Sequence, residues 1–302
     1  MRVFVTGASG WIGSAVVPEL IGAGHQVVGL ARSDAAAEKA AASGAEVLRG
    51  DVQDVAALRA GAEQADGVVH LAFRHDIAWT GQFEEAAASD RRAIEVFGEA
   101  LARSGRPLAV AAGVAGVNPS GIATERDHLS QEVSPRAASE QAVLALAERG
   151  VRSMSVRFAP TVHGAGDHGF IARIIDADRS HGAAGYIGNG ENRWAAVHRS
   201  DAARLVRLGI EHAPPGSVLH AVGEEGIAMR DIAEAISRRF ALPAAAISAE
   251  EAGARFGFLG QFVGLDMAAS SVITRELLGW EPTGPTLIED IQAGAYSNNS
   301  QG

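Results

Sequence analysis

MRVFVT (residues 1–6) runs directly into GASGWIG (residues 7–13), so a short apolar strand is followed by a G-x-x-G-x-x-G turn that opens a helix. In such a turn Gly7 allows a tight exit from the strand, Gly10 lets a pyrophosphate approach the backbone, and Gly13 lets the helix pack close to the sheet. The first N–H groups of the helix then face an anion. The stretch therefore predicts a dinucleotide site, with a plain strand–turn–helix as the alternative.

Composition limits the classes of partner. The chain has 302 residues, 47% of them hydrophobic, which is enough for one large core or for a core with an attached lobe. It carries 36 acidic against 26 basic residues and a net charge of -10, so we expect no nucleic-acid partner. It has no cysteine, which excludes disulfides, thiolate metal sites and cysteine nucleophiles.

Membrane and export signals are not evident in the sequence. The longest apolar run, residues 108–117, is too short to span a bilayer. The first predicted strand begins at residue 2 and leaves no room for a signal peptide. We therefore expect a cytoplasmic protein without a membrane partner.

Strands and helices alternate along the first half of the chain. Further strands are predicted at residues 25–30, 45–48, 67–72, 107–112 and 151–157, with helices at 82–103 and 134–149. This alternation predicts an α/β fold, a Rossmann doubly wound parallel sheet, with a dinucleotide-binding domain over residues 1–160.

The alternation breaks down after residue 160. Short strands at 185–188, 194–197 and 217–222 mix with helices at 170–180, 200–211, 229–240 and 285–296, and the last six residues are expected to fray. We expect residues 161–302 to form a smaller C-terminal α/β substrate lobe over the carboxyl ends of the strands, intertwined with the first domain, with some segments returning to its sheet.

The end of the second strand distinguishes NADP from NAD. An acid there would bind a ribose 2′-hydroxyl, but the strand ends in Ala31, followed by Arg32 and Ser33, which suit a 2′-phosphate. NADP(H) is therefore favoured and NAD is less favoured, although Asp34 could bind a ribose if it is not merely a first-turn helix acid. Asp51 and Val52, after the third strand, are placed to hold the adenine, unless Asp51 is a simple turn residue.

Several motifs together resemble the extended short-chain dehydrogenase/reductase family, the NAD-dependent epimerase/dehydratase group. They cover nearly the whole chain: TGxxGxxG from Thr6, GDxxD from Gly50, VHLA from Val69, RxxPTVHG from Arg157 and AVHxxD from Ala196. From the turn and the resemblance we expect these residues at the cofactor: Gly7, Ser9, Gly10, Trp11, Ile12, Gly13, Arg32, Ser33, Asp51, Val52, Leu71, Ala72, Ala111, Phe158, Pro160 and Val162.

The catalytic motif that the resemblance implies is missing. The family places a Ser or Thr after strand five and a Tyr-x-x-x-Lys on the next helix, where the Tyr donates a proton and the Lys lowers its pKa and holds the nicotinamide ribose. Strand five here ends in Ala111-Ala112-Gly113-Val114, and Arg136 and Glu140 align with the Tyr and the Lys. Because Lys39 is the sole lysine, the motif can occur nowhere in the chain. The sequence resembles an atypical family member.

The two replacements could still contribute chemistry. Arg136 stays protonated, so it is a poor proton donor, but it could pin a carboxylate or stabilise an oxyanion. Glu140 could accept hydrogen bonds from ribose hydroxyls. The alternative is that the two form an exposed i,i+4 salt bridge on one helix face.

Two histidines are candidate proton donors. His163 follows the segment that lines the nicotinamide in the family, and His75 follows strand four beside Asp76. Each could instead be a loop residue with a satisfied hydrogen bond. His163, Asp167 and His168 have metal-ligand spacing, but a glycine-rich loop makes coincidence the better interpretation, so we expect no metal. Trp194 and His198 could face the substrate lobe, though Trp194 is as readily a core residue.

The leading functional hypothesis is an NADPH-dependent reductase or dehydrogenase of a small organic carbonyl, or of a related C=N or C=C bond. The alternatives are a non-catalytic NADP-binding regulatory module and a sugar-nucleotide epimerase or dehydratase. No G-x-S-x-G is present, which disfavours a hydrolase. We expect a small-molecule substrate and a monomer or homodimer.

Overall fold

The computed structural model of the chain, which describes residues 1–132 and 134–297, is built on a seven-stranded parallel sheet. Its strands lie in the order β10-β6-β5-β4-β1-β2-β3, which confirms the predicted Rossmann fold. The strands of the chain are β1 (Arg2–Thr6), β2 (Gln26–Ala31), β3 (Glu46–Arg49), β4 (Gly67–His70), β5 (Pro107–Gly113), β6 (Arg152–Phe158), β7 (Thr161–His163), β8 (Ala184–Ile187), β9 (Arg193–His198), β10 (Ser217–Ala221), β11 (Glu224–Ala228) and β12 (Ala244–Ile247).

Helices cover both faces of this sheet and build most of the second lobe. They are α1 (Gly13–Gly22), α2 (Asp34–Ala42), α3 (Val55–Glu63), α4 (His75–Ala78), α5 (Phe83–Ala100), α6 (Arg136–Ala145), α7 (Phe170–His181), α8 (Arg199–His212), α9 (Met229–Phe240), α10 (Ala249–Phe256), α11 (Gly260–Val263), α12 (Val272–Leu278) and α13 (Leu287–Ala293). Short 3₁₀ turns follow α6 and α10 at Leu146–Arg149 and Gly257–Leu259. No helix within the described ranges is long and apolar enough to cross a membrane.

The central strand β1 fixes where a ligand can bind. Val3, Phe4 and Val5 are fully buried, as a strand covered on both faces requires. Strand β1 pairs with β2 on one side and with β4 on the other, so the direction of the crossovers reverses between β1 and β4. Open α/β sheets bind ligands at such a point, outside the carboxyl ends of the strands. The turn after Thr6 lies there.

The second lobe has its own small sheets and core. Strand β9 pairs parallel with β7 and antiparallel with β11, while β8 pairs with β12. Trp194, Ile232 and Leu287 are fully buried in its core. Strand β10, however, belongs to the seven-stranded sheet of the first lobe. The chain therefore crosses back between lobes, and the division at residue 160 stays a prediction.

Several element boundaries differ from the predicted ones. The last predicted helix starts later, at Leu287, because Thr286 caps it in a reciprocal pair with Glu289, and it ends before Gly294, whose φ is +89°. Strand β4 ends at His70, two residues early. The short elements α4, β7, β11 and β12 were not predicted. Of the tail expected to fray, residues 298–302 lie outside the described residues.

Candidate dinucleotide site and reaction cleft

Two glycines of the first turn sit where no side chain fits. Gly7 has φ +71°, and a Cβ there would lie 2.8 Å from the backbone nitrogen of Ala72. A Cβ on Gly13 would lie 2.0 Å from the carbonyl oxygen of Gly7, because helix α1 packs directly on the strand exit. The Gly10 N–H donates to the same oxygen at 2.9 Å and closes the turn. These contacts agree with the predicted tight strand exit at Gly7 and the predicted close packing of the helix at Gly13.

The turn presents unused hydrogen-bond donors. Neither the Trp11 nor the Ile12 N–H donates to another atom in residues 1–132 or 134–297. Ile12 is also the N-cap of α1 and supplies no capping side chain. Backbone donors at the positive end of a helix form a site for a phosphate group. The residues present therefore fit the pyrophosphate of a dinucleotide.

The Trp11 side chain is anchored to the second lobe. Its Nε1–H donates to the Val162 carbonyl at 2.7 Å. The Arg199 guanidinium lies over the indole at 4.2 Å, and the His168 ring meets its edge at 5.6 Å between centroids. An indole bonded in this way cannot fold over the turn, so it does not compete with an anion there.

Around the end of β2, the predicted adenosine contacts lie at the surface. Arg32 is 62% exposed in its side chain, and its Nη1 lies 3.5 Å from Asp76 Oδ2. Ser33 caps α2 by accepting from the Ala36 N–H, and Asp34, in the first turn of α2, pairs with Arg49. Arg32 is thus an exposed cation directly after β2, whereas Arg49 is paired with Asp34.

On the neighbouring strand, Asp51 accepts from the Gln53 N–H at 3.0 Å, as a turn aspartate does. Val52 packs against the core beside β2 and β3. Neither observation shows an adenine contact, and this part of the site stays a prediction.

Arg136, the first residue of α6, reaches the segments at the ends of β4 and β5. Its Nη2 donates at 2.5 Å to the carbonyl of Ala111 near the end of β5, and its guanidinium lies over the Phe73 ring at 4.3 Å. Its side chain keeps 20% of its surface exposed. A cation held between the ends of β4 and β5 is placed to meet a polar group in the cleft.

A buried polar chain runs behind this cation. Thr6 Oγ1 lies 2.6 Å from His70 Nδ1, and His70 Nε2 lies 3.3 Å from Asp90 Oδ1. The other carboxylate oxygen of Asp90 lies 4.0 Å from the Nε of Arg136. Burial works to raise the pKa of Asp90, but the adjacent His70 ring and Arg136 cation outweigh it and hold that pKa below its ordinary value. Asp90 is therefore a buried anion behind Arg136.

Glu140, one helical turn after Arg136 on α6, is hydrogen-bonded to side chains of β6. Its Oε1 accepts from Arg157 Nε at 2.8 Å and from Ser155 Oγ at 2.6 Å, and its Oε2 accepts from Arg157 Nη2 at 2.7 Å. Arg157 has no exposed surface. The alternative of an exposed Arg136–Glu140 salt bridge is therefore wrong, because each side chain has a different buried partner. The carboxylate of Glu140 is committed to Arg157 rather than open to the cleft.

His75 is the first residue of α4. Its ring packs against Phe73 at 5.0 Å and Trp79 at 5.5 Å between centroids, and it retains solvent contact. The surrounding atoms desolvate the ring, and together with the nearby Arg136 cation they lower the pKa of His75. The structure thus places both His75 and Arg136 against the Phe73 ring.

His163 is fully buried away from solvent. Its Nδ1 lies 2.6 Å from Asp290 Oδ2 on α13, and its Nε2 lies 3.7 Å from Glu224 Oε1. Burial lowers its pKa even though Asp290 opposes that effect. His198, 21% exposed in its side chain, caps α8 by accepting from the Ser200 N–H. A buried, carboxylate-paired His163 is poorly placed to exchange a proton with a substrate.

The other residues singled out in the sequence have structural contacts. Trp194 is fully buried against Phe170, as a core residue. Asp167 accepts from the Gly169 N–H and from the Tyr296 hydroxyl. His168 packs on Trp11 instead of turning toward His163.

A crevice of about 440 Å³ lies between α1 and α8, where it is lined by Glu19, Gly164, His198 and Arg199 among others. It does not include the ends of β4 and β5. The glycine turn adjoins the end of β4, where a Cβ on Gly7 would meet Ala72, and Arg136 contacts Phe73 and the Ala111 carbonyl near the ends of β4 and β5, the edge at which this fold binds ligands.

Asp90 and Phe73 were missed by sequence reasoning. A signal for Asp90 was present: it is the one acid on a helix face otherwise made of Ala86, Ala87, Ala93 and Ile94 in the described part of α5. A charged residue on the buried stripe of an amphipathic helix needs a partner. Phe73 carries no such signal, since its contact with Arg136 depends on how α6 docks.

The sequence matches one protein family and several known proteins. Residues 3–221 match the profile of the NAD dependent epimerase/dehydratase family. Uncharacterized protein C2A9.02 of Schizosaccharomyces pombe is 44% identical over 297 residues, 98% of this chain and 100% of that protein. The 4-hydroxy-2-methyl-3-oxo-4-farnesyl-3,4-dihydroquinoline-1-oxide ketoreductase of Stigmatella aurantiaca is 28% identical over 232 residues, 72% of this chain and 67% of that protein.

Among solved structures, MoeE5 in complex with UDP-glucose and NAD is similar over 100% of both chains, with a TM-score of 0.78 and 25% identity.

Proposed function

The chain belongs to the NAD dependent epimerase/dehydratase family, as its motifs predict, and we propose that it is an NADPH-dependent reductase of a small organic carbonyl compound. The observation that carries the proposal is Arg136. This cation lies between the ends of β4 and β5 with one bond to a backbone carbonyl and part of its surface open to the cleft. A fixed guanidinium at this place can hold the oxygen of a carbonyl group as negative charge develops on it.

NADPH supplies the hydride when it is bound. The chain's own residues then have two tasks at the substrate. Arg136 binds the carbonyl oxygen and stabilises the alkoxide that forms as the C=O π bond breaks. The imidazolium of His75 gives that oxygen a proton and takes one back from solvent, which its exposure permits. Among the four candidate catalytic residues, His75 and Arg136 suit these roles, while Glu140 and His163 are committed to Arg157 and Asp290.

The preference for NADP over NAD rests on Arg32. Its guanidinium is exposed, and its one carboxylate contact in the described part of the chain is the 3.5 Å approach to Asp76. A 2′-phosphate beside Arg32 and Ser33 would gain a charge-assisted hydrogen bond that a 2′-hydroxyl cannot match. The ketoreductase among the relatives supports a carbonyl substrate.

A sugar-nucleotide epimerase is the second candidate, favoured by the likeness to MoeE5, whose structure holds UDP-glucose and NAD. The Tyr and Lys that this chemistry also uses are missing from the chain, which favours the reductase.

Two measurements test the proposal. The first titrates NADPH and NADH against tryptophan fluorescence, and NADPH should bind at least tenfold more tightly in the wild type. Arg32→Gln should remove that preference, whereas Arg49→Gln, which alters a neighbouring arginine already paired with Asp34, should keep it. The second follows NADPH absorbance with ketone, aldehyde and imine panels. Equal affinities would refute the NADP assignment, and tight binding without consumption would favour the regulatory module.

A further inference from the structure

Four rings contact one another in a row beside Arg136, and we call them the aromatic ledge: Phe83, Phe73, His75 and Trp79. The ledge runs from the end of β4 to the first residue of α5. Successive centroids from Phe73 to His75 and from His75 to Trp79 lie 5.0 and 5.5 Å apart, with the ring planes inclined by 70° and 54°. Trp79 is 36% exposed. An aromatic molecule can pack against these ring edges and faces.

One arginine from each lobe stacks its guanidinium on a ring of the ledge. Arg136, from α6, stacks on Phe73 at 4.3 Å. Arg173, from the first turn of α7 in the second lobe, stacks on Trp79 at 4.0 Å. Stacking uses the face of a guanidinium and leaves its N–H edge available for an oxygen ligand. The two cations therefore offer two oxygen-binding points on the ledge, one at Phe73 and one at Trp79.

The two points differ in charge. Arg136 has the buried carboxylate of Asp90 4.0 Å behind it, which offsets its positive charge and suits it to a neutral carbonyl oxygen. Arg173 is an exposed residue that forms no ion pair with any residue in the described ranges, so it keeps its full charge beside Trp79. Arg74, the third arginine nearby, is near Asp76 and Glu85 and is not available. An anionic group is thus favoured at Arg173 and not at the other two.

We propose, on the basis of the reductase function above, that the substrate is an aromatic oxo acid: an aromatic carbonyl compound that also carries a carboxylate. Its ring lies on the aromatic ledge, its carbonyl oxygen meets Arg136, and its carboxylate meets the edge of Arg173. Because the two arginines come from different lobes, such a substrate bridges the cleft. Arg173 is then a specificity-determining residue and Arg136 the catalytic one.

Binding without turnover tests this directly. The probes are 4-acetylbenzoate and phenylglyoxylate, each paired with its neutral methyl ester, titrated calorimetrically into the full chain with and without NADP⁺. Oxidised cofactor cannot reduce a ketone, so the titration reports affinity alone. At least one acid should bind tenfold or more tightly than its ester, since a charge-assisted contact at one arginine corresponds to about ten- to hundredfold in affinity.

Two variants on α7 distinguish a specific anion contact at the ledge from a general effect of surface charge. Arg173→Gln should bring the acid-to-ester ratio close to one and, where the acid is reduced, raise its KM about tenfold with kcat within threefold. Arg179→Gln is the matched control, because Arg179 lies on the same helix and packs on Phe240 at 5.3 Å, away from the ledge. It should behave as the wild type does.

The outcomes are distinguishable from those of the reductase proposal. An acid preference that depends on Arg173 without NADPH consumption would uphold the anion site and reject the reductase. Equal binding of acids and esters, no binding of either acid, or an equal loss in Arg179→Gln would overturn the oxo-acid assignment even if neutral ketones are reduced.

Discussion

The change Glu140→Gln should destabilise the fold strongly, because it leaves a buried cation unpaired. Glu140 is 6% exposed and Arg157 has no exposed surface, and two hydrogen bonds of 2.8 and 2.7 Å join them. Glutamine keeps the size but removes the charge and one of the acceptors. Breaking a buried pair by removing one partner typically costs about 3–5 kcal/mol, which at about 2–4 °C per kcal/mol lowers Tm by roughly 6–20 °C.

Thermal unfolding followed by circular dichroism measures this change. The control is Glu99→Gln, which removes a carboxylate from an exposed pair with Arg59 and should leave Tm within about 2 °C of the wild type. The reasoning is refuted if Glu140→Gln unfolds as the control does.

The pH dependence of the same variant gives a second readout. Burial works to raise the pKa of Glu140, but the hydrogen bonds and charge of Arg157 outweigh it, so the pKa lies below its ordinary value of 4.5. A carboxylate whose pKa is lowered by folding contributes stability that is fully present above the unfolded pKa and is lost as pH falls through the folded one. The Tm difference between wild type and Glu140→Gln should therefore be constant above about pH 5 and should shrink in more acidic buffer.

Three further changes test the cleft itself. Gly13→Ala should weaken NADPH binding at least a hundredfold in a fluorescence titration, because the new Cβ would clash with the backbone of Gly7. The control is Gly22→Ala, where no atom lies within 4 Å of the new Cβ. It should bind NADPH as the wild type does, and its free energy of unfolding should rise by up to about 1 kcal/mol. Asp90→Asn should lower kcat about tenfold by loosening Arg136, with cofactor affinity unchanged; an unaltered kcat would remove Asp90 from the positioning role. If His75 is the donor, kcat should fall as pH rises through its pKa, which lies below 6.5, and His75→Gln should lose that pH dependence; the same profile in the variant would point to another donor.

Much of the fold followed from local pattern. The strand and glycine turn at residues 1–13 and the alternation up to β6 predicted the parallel sheet, because buried parallel strands are short apolar runs separated by amphipathic helices. Helix α9 was predicted at its observed bounds, residues 229–240. The short elements β7, β11 and β12 were missed, since three to five residues carry too little periodicity, and their pairing depends on distant partners.

The site divides in the same way. The sequence predicted a tight strand exit at Gly7 and close helix packing at Gly13, and the φ of +71° at Gly7 and the 2.0 Å approach of a Gly13 Cβ to the Gly7 carbonyl oxygen agree with these expectations. The partners of Arg136 and Glu140 were not predicted, since Asp90 and Arg157 lie 46 and 17 positions away along the chain and meet them only when α5 and β6 pack beside α6. The i,i+4 spacing favoured an ion pair between Arg136 and Glu140, but in the folded protein Arg136 lies near Asp90 and Glu140 pairs with Arg157.

These partners explain how the family's motif could be lost without loss of the fold. An unpaired buried charge costs several kcal/mol, so a cation in place of the Tyr and an anion in place of the Lys each need a counter-charge nearby. The chain supplies Asp90 behind Arg136 and Arg157 beside Glu140, each from a different neighbouring element. The two replacements differ in burial: Glu140 is buried beside Arg157, whereas 20% of the Arg136 side-chain surface is exposed. In the proposed function, the chemistry therefore rests on Arg136, the replacement that keeps exposed surface.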